Sequence, residues 1–212
     1  MENKQIILVG GGGHCISVIE SLERSGKYTI KGISDVREKI GQRLLGYDIR
    51  WADDQLSAMI SDDVEFLITI GHIKSPQIRK RLFEELWALK VRFFTLIDTH
   101  AVVSPRAVIG DGTVILRNAF VNAGAVIGLN CIINSGAMIE HGSTVGDHVH
   151  ISTGAIVNGD CKVGNGCFVG SGAIISNGVS ICDDTLISAG SVVFRDINTP
   201  GTYMGNPVRF VK

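Results

Sequence analysis

His141 is the residue best suited to moving a proton. It stands in the run Ile139-Glu140-His141-Gly142. A neutral imidazole titrates near neutral pH, so it can take a proton from an attacking hydroxyl or amine. Such a step needs no covalent enzyme intermediate. Eighteen residues further on stands Gly159. Glycine has no side chain to keep a ligand away, and its backbone N–H can stabilise a developing oxyanion. A second group lies near the start, at Gly10-Gly11-Gly12-Gly13-His14. Glycines between a strand and a helix N-terminus let backbone N–H groups approach a phosphate. Asp35 follows at about the distance of a ribose-binding acid, some 20 residues on. The same residues also fit a tight turn with a capping Asp. A dinucleotide fingerprint starting at Gly10 and Gly12 would put Cys15 at its third small position. That mismatch favours a nucleotide or nucleotide sugar over a nicotinamide cofactor.

The elements that carry His141 and Gly159 are set by a repeat. Counting from Val103 in steps of six, every stop through Val193 is Ile or Val, with no insertion. Four residues after each stop the residue is nearly always small, as at Ala119, Ala125, Cys131, Ala137 and Ala155. Gly, Asn or Asp usually precedes the small residue, as at Gly112, Asn118, Gly124, Asn130 and Gly136. A β-branched residue suits a short extended segment and fills an inward site. Gly, Asn and Asp tolerate positive φ and turn the chain. Six residues thus make one flat face and one corner, and stacked turns bury a column that one repeat could not. This is the hexapeptide repeat of a parallel β-helix. Three faces close a coil of about 18 residues, stacked at about 4.8 Å. His141 then sits at a corner and points outward, and Gly159 occupies the same corner one layer along.

Residues 1–98 have another texture. Gln5 to Val9 reads as a strand, and Ile16, Ile19 and Leu22 as a helical stripe ending at Gly26. Tyr28 to Ser34 and Val64 to Ile70 read as strands. Leu56, Met59 and Ile60 fit a short helix. Ser75-Pro76 opens a longer helix, with Ile78, Leu82, Leu86 and Leu89 on its buried face. Val91 to Ile97 reads as a last strand. Alternating strands and helices imply a small Rossmann-like parallel sheet covered by helices. The expected division is 1–98 for this nucleotide- or sugar-binding domain and 99–212 for the β-helix.

The net charge of -1 over 212 residues suggests no nucleic-acid partner. No apolar run is long enough for a membrane span, and the first strand is too short for a signal peptide. The five cysteines show no CxxC spacing, and three sit at the small position of the repeat. They read as reduced core residues of a cytoplasmic protein.

The chain resembles the bacterial sugar acetyltransferases of the PglD and NeuD type. The resemblance rests on Gly10-Gly11-Gly12-Gly13-His14, Thr95-Leu96-Ile97, Ile139-Glu140-His141-Gly142, Ile151-Ser152, Asn158-Gly159-Asp160 and Gly205-Asn206-Pro207. It implies a left-handed β-helix and a homotrimer, with acetyl-CoA as co-substrate between adjacent β-helices and no metal. It also implies a sialic acid or nucleotide-linked amino sugar at the N-terminal domain, with Gly10 to His14, Asp35 and Asn134 on the substrate. His141 would be the base, Glu140 would orient it, and Gly159 would serve the oxyanion. His150 would contact the acetyl donor or the sugar. The tail, Gly201 to Lys212, leaves the repeat; within it Gly205, Asn206, Pro207 and Arg209 would close over the coenzyme, with Lys212 also suited to its phosphates. His148 fits a plain turn residue as well as a ligand contact.

Two departures stand out. Family members that acetylate nucleotide sugars commonly carry an acid after the histidine, where this chain has Gly142. The connection from Gly71 to Arg79 is longer than usual. Two other readings fit the repeat: a γ-type carbonic anhydrase using His141, His148 and His150 on zinc, and a non-catalytic scaffold.

Overall fold

Each hexapeptide between Val102 and Val193 folds into a two-residue strand and a turn. The computed structural model describes residues 5–211. Strands eighteen residues apart pair in parallel: Val114 with Ile132, Met138 with Ile156, and Thr144 with Lys162. The coil therefore has three faces. The first carries Val114–Ile115, Ile132–Ile133, His150–Ile151 and Phe168–Val169; the second Phe120–Val121, Met138–Ile139 and Ile156–Val157; the third Val126–Ile127, Thr144–Val145 and Lys162–Val163.

The second residue of each strand points inward. Ile115, Val121, Ile127, Ile133, Ile139, Val145, Ile151 and Val157 form one buried column with Ala119, Ala125, Cys131 and Ala137. All five cysteines are free, and all but Cys182 are buried. Burial pushes the thiols of Cys131 and Cys167 up to about 12. They fill space in the core and stay protonated.

The N-terminal part begins with β1 (Gln5–Val9), α1 (Gly13–Ser25) and β2 (Thr29–Asp35). Then follow β3 (Arg43–Leu44), β4 (Tyr47–Ala52), β5 (Val64–Ile68), α2 (Gln77–Ala88) and β6 (Arg92–Phe93). The sheet order is β3-β4-β2-β1-β5-β6, with only the β3–β4 pair antiparallel. Helix α1 packs on this sheet through Cys15, Val18, Ile19 and Leu22, whereas Ile16 stays exposed.

Three expectations need correction. The run Val91 to Ile97 is not one strand. It breaks at Phe94 and Thr95, and Leu96–Ile97 pairs with Val114–Ile115 as the first rung of the coil. Helix α2 buries Arg79, Leu82, Phe83 and Leu86, while Ile78 and Leu89 are exposed. The buried stripe is rotated because Arg79 turns inward. The tail does not leave the coil at Gly201 either. Thr202–Met204 stacks in parallel on Leu186–Ile187, and Arg209–Phe210 folds back antiparallel.

The sheet covers the first face of the coil. Ile6, Leu8, Ile33 and Leu67 share a core with Phe94, Leu96, Val114 and Leu116. The fully buried Arg79 ties the two parts. Its Nη1 donates to the carbonyls of Ile68 (2.6 Å) and Ile70 (3.0 Å), and its Nε to that of Asn130 (3.0 Å). The Ser21 hydroxyl donates to buried Asp98 at 2.6 Å, tying α1 to the start of the coil.

Gly128 lies where two coils touch. A Cβ there would stand 2.3 Å from Asp147 Oδ1 and 2.8 Å from the Gly146 carbonyl carbon. Gly154 has open space around it but a φ of +64°. Gly128→Ala should therefore destabilise by about 2 kcal/mol or more, and Gly154→Ala by about 1 kcal/mol. Urea unfolding of both variants checks this; equal losses would contradict the close approach.

Candidate functional site

The glycine turn lines a cavity of about 870 Å³ between the N-terminal sheet and the coil. Gly10 has φ +105°, and a Cβ there would lie 2.2 Å from Ile70 Cγ1. The Gly11 N–H donates to Asp35 Oδ2 at 2.8 Å. The Val36 N–H donates to Asp35 Oδ1, and the Lys39 ammonium to Oδ2, each at 2.7 Å. Burial raises the carboxyl's pKa, but Lys39 and the two N–H groups outweigh it, so the net shift is downward. Asp35 thus lines the cavity and also anchors the turn. Gly12 and Gly13 meet nothing within 4 Å of a would-be Cβ, and no side chain caps α1. That helix start is open to a ligand.

His14, His72 and His150 form the inner wall. Among the described residues the buried Nε2 of His14 has no hydrogen-bond partner. Among the described residues neither ring nitrogen of His72 finds a hydrogen bond of ordinary geometry. His72 packs edge-on against His150, with centroids 5.4 Å apart, and both pack against Phe168. Burial, then the charge of nearby groups including Arg79, holds His14 well below its usual value. Burial first, then His150 and Arg79, brings His72 down to about 3. Burial, helped by Arg79, brings His150 to about 4.

His141 lies elsewhere. It stands in the turn between the second and third faces, exposed to solvent. Its ring lies directly against Gly159: a Cβ on that glycine would be 2.5 Å from Cε1 and 2.7 Å from Nε2. The Gly159 N–H makes no hydrogen bond among the described residues. The Glu140 carboxylate takes the Asn122 amide at 2.6 Å and the His141 backbone N–H at 3.4 Å. It fixes the corner rather than the imidazole. The glycine after the histidine also has a structural cause. Gly142 has φ +67°, and a Cβ there would lie 2.2 Å from Asp160 Oδ1. The carboxylate of the next layer fills the space an acid at 142 would need.

The remaining candidates separate into groups. His150 stands with the glycine cavity, and Asn134 donates to its Nε2 at 3.2 Å. Gly205, Asn206, Pro207 and Arg209 lie at the far end of the coil, and Pro207 lines a pocket of about 440 Å³ with Tyr203 and Phe210. Lys212 lies outside the described residues. His148 holds a turn at φ +59°, contacts Asn130 at 3.0 Å and packs edge-on against Phe83. Among the described residues no group of three His, Cys, Asp or Glu is placed to hold a metal ion. One chain therefore does not bring His141 to the cavity. Lys39, His72 and Asn122 escaped the sequence reading, since contacts across a loop or between layers leave no local pattern.

The family model described as PglD N-terminal domain matches residues 5–86, and that described as bacterial transferase hexapeptide (six repeats) matches residues 160–195. UDP-N-acetylbacillosamine N-acetyltransferase of Bacillus subtilis (strain 168) is 36% identical over 115 residues. That match covers 53% of this chain and 51% of the relative, about half of each. The acetyltransferase domain of PglB from Neisseria gonorrhoeae FA1090, solved with acetyl coenzyme A, is 28% identical with a TM-score of 0.90, covering 99% of this chain and 100% of that one. A perosamine N-acetyltransferase from Caulobacter crescentus was solved with CoA and GDP-perosamine, one of its histidines replaced by asparagine. It is 29% identical with a TM-score of 0.91, covering 98% and 97%.

The buried histidines make a pH test. Unfolded histidines protonate near pH 6.5. Folded His72 and His150 resist protonation down to about 3 and about 4. Their contribution to stability is whole above about pH 6.5 and is lost as pH falls toward the folded values. The thermal midpoint should drop between about pH 7 and about pH 4, and His72→Phe should flatten the drop. An unchanged slope in that variant would contradict the burial of a neutral ring.

Proposed function

We propose a function from one premise, that the chain belongs to the bacterial hexapeptide-repeat sugar acetyltransferases of the PglD and NeuD type. It transfers the acetyl group of acetyl-CoA to the amine of a nucleotide-linked amino sugar. The observation that carries this reading is the exposed imidazole of His141 lying against the unbonded N–H of Gly159. The sugar amine attacks the thioester carbonyl, and His141 takes the proton it sheds. The carbonyl oxygen becomes an oxyanion facing the Gly159 N–H. A C–N bond forms, the C–S bond breaks, and the coenzyme thiolate takes a proton back. Glu140 holds the corner through the His141 backbone N–H.

The labour divides near residue 98. The cavity of the N-terminal part takes the nucleotide sugar at the open start of α1, with Lys39, Lys74 and Arg81 at its walls for phosphate charge. The coil and the tail from Gly205 to Arg209 take the coenzyme. Copies of the chain complete the site in a homotrimer. The second face supports this. Its outward residues Val102, Phe120, Met138, Ile156, Ile174 and Val192 form an unbroken apolar column, and it ends at the His141 corner. A neighbouring copy on that face can bring its own cavity toward the imidazole.

The test is thiol release from acetyl-CoA with a panel of UDP-, GDP- and CMP-linked amino sugars and free sialic acids. Turnover is expected with a nucleotide amino sugar, with mass spectrometry placing the acetyl on nitrogen. His141→Ala and His141→Asn should each lose about 10²- to 10⁴-fold in kcat. Gly159→Ala should also lose activity, because its methyl displaces the ring. Full turnover in both His141 variants would contradict the mechanism. Acetyl on oxygen would move the acceptor to a hydroxyl.

A further inference from the structure

His150 touches the cavity, yet both of its ring nitrogens are already committed. Its Nδ1 lies 2.7 Å from the backbone carbonyl of His72, and its Nε2 lies 3.2 Å from the Asn134 amide nitrogen. The Asn134 Oδ1 accepts the Ser135 N–H at 2.8 Å. The two ends of this chain of bonds fix its direction. A carbonyl oxygen only accepts, so Nδ1 must carry the proton. A backbone N–H only donates, so Oδ1 must be the atom facing Ser135, which leaves Nδ2 facing the ring. Nε2 is then bare and accepts from Asn134. The ring is buried and neutral at pH 7, with burial as the main cause. Among the described residues, one N–H of Asn134 remains unspent, on a half-buried side chain.

We propose that His150 is a positioning residue: held in one tautomer by the His72 carbonyl, it aims the free N–H of Asn134 at an acceptor oxygen of the bound substrates. This rests on the acetyltransferase reading above and changes the role expected for His150, which acts through Asn134 rather than on the ligand. It also couples the two parts of the molecule. His72 lies in the loop between β5 and α2, at the wall of the nucleotide cavity. Asn134 lies on the coil, between its first and second faces.

Two experiments test this. The first needs no activity. In protein carrying ¹⁵N-labelled histidine and asparagine at pH 7, the His150 ring should show a protonated Nδ1 and a bare Nε2. His150→Phe should move the Asn134 side-chain amide signals toward those of a solvated amide. A protonated Nε2, or Asn134 signals indifferent to the substitution, would overturn the proposal whether or not the chain transfers acetyl groups. The second is a double-mutant cycle on thiol release, using acetyl-CoA and the acceptor found above. His150→Phe and Asn134→Ala should each cost about tenfold in kcat/KM, and the double variant no more than either alone. His150→Gln keeps one donor and one acceptor and should recover part of the loss. Multiplying losses in the double variant would show that His150 meets the ligand itself. The substrate whose KM rises, acetyl-CoA or the sugar nucleotide, identifies the oxygen.

Discussion

The inward column of Ile and Val fixes everything that follows. A two-residue strand has too few hydrogen bonds to hold its own register. Here each strand is pinned by a β-branched side chain packed above and below its equivalents eighteen residues away. Shifting one rung by a single residue would turn its aliphatic group out to solvent and bring its outward residue in. The coil therefore has one register, and every residue number has one corner and one layer. Chemistry is positioned by counting: 141 and 159 must stack, and they do.

The outward positions are free to meet other parts of the molecule and solvent because the inward ones are spent on packing. On the first face the outward residues Leu96, Val114, Ile132 and His150 are buried, Leu96 and Val114 against the N-terminal core and His150 against His72. There the cavity with the glycine turn forms. On the second face they stay apolar and partly open. The His141 corner lies beside that open face and away from the cavity. In the proposed mechanism, a neighbouring copy is what would bridge the separation of His141 from the cavity.

The repeat, the outward His141 and the stacking of Gly159 were legible in the sequence because each depends on spacing alone. The sheet beneath was legible as a type. Its joints were not. Val91 to Ile97 is a plain apolar run, and nothing in it says that Leu96 leaves one sheet for another. The buried face of α2 was not legible, because nothing in the local pattern says that Arg79 turns inward. Arg79 goes inward to serve the carbonyls of Ile68 and Ile70 just before the helix and that of Asn130 on the coil, 51 residues away. The two bonds that occupy His150 have the same character, since one comes from a loop 78 residues earlier. Gly142 looked like a missing acid until Asp160 of the next layer was seen in its space.

The central claim is that the thioester reacts at the corner where His141 lies on Gly159. A crystal structure with acetyl-CoA bound tests it directly. The thioester carbonyl oxygen should lie about 2.7–3.1 Å from the Gly159 nitrogen, with the imidazole beside the acetyl carbon. An acetyl group bound away from that corner, with the Gly159 N–H left facing solvent, would contradict the account.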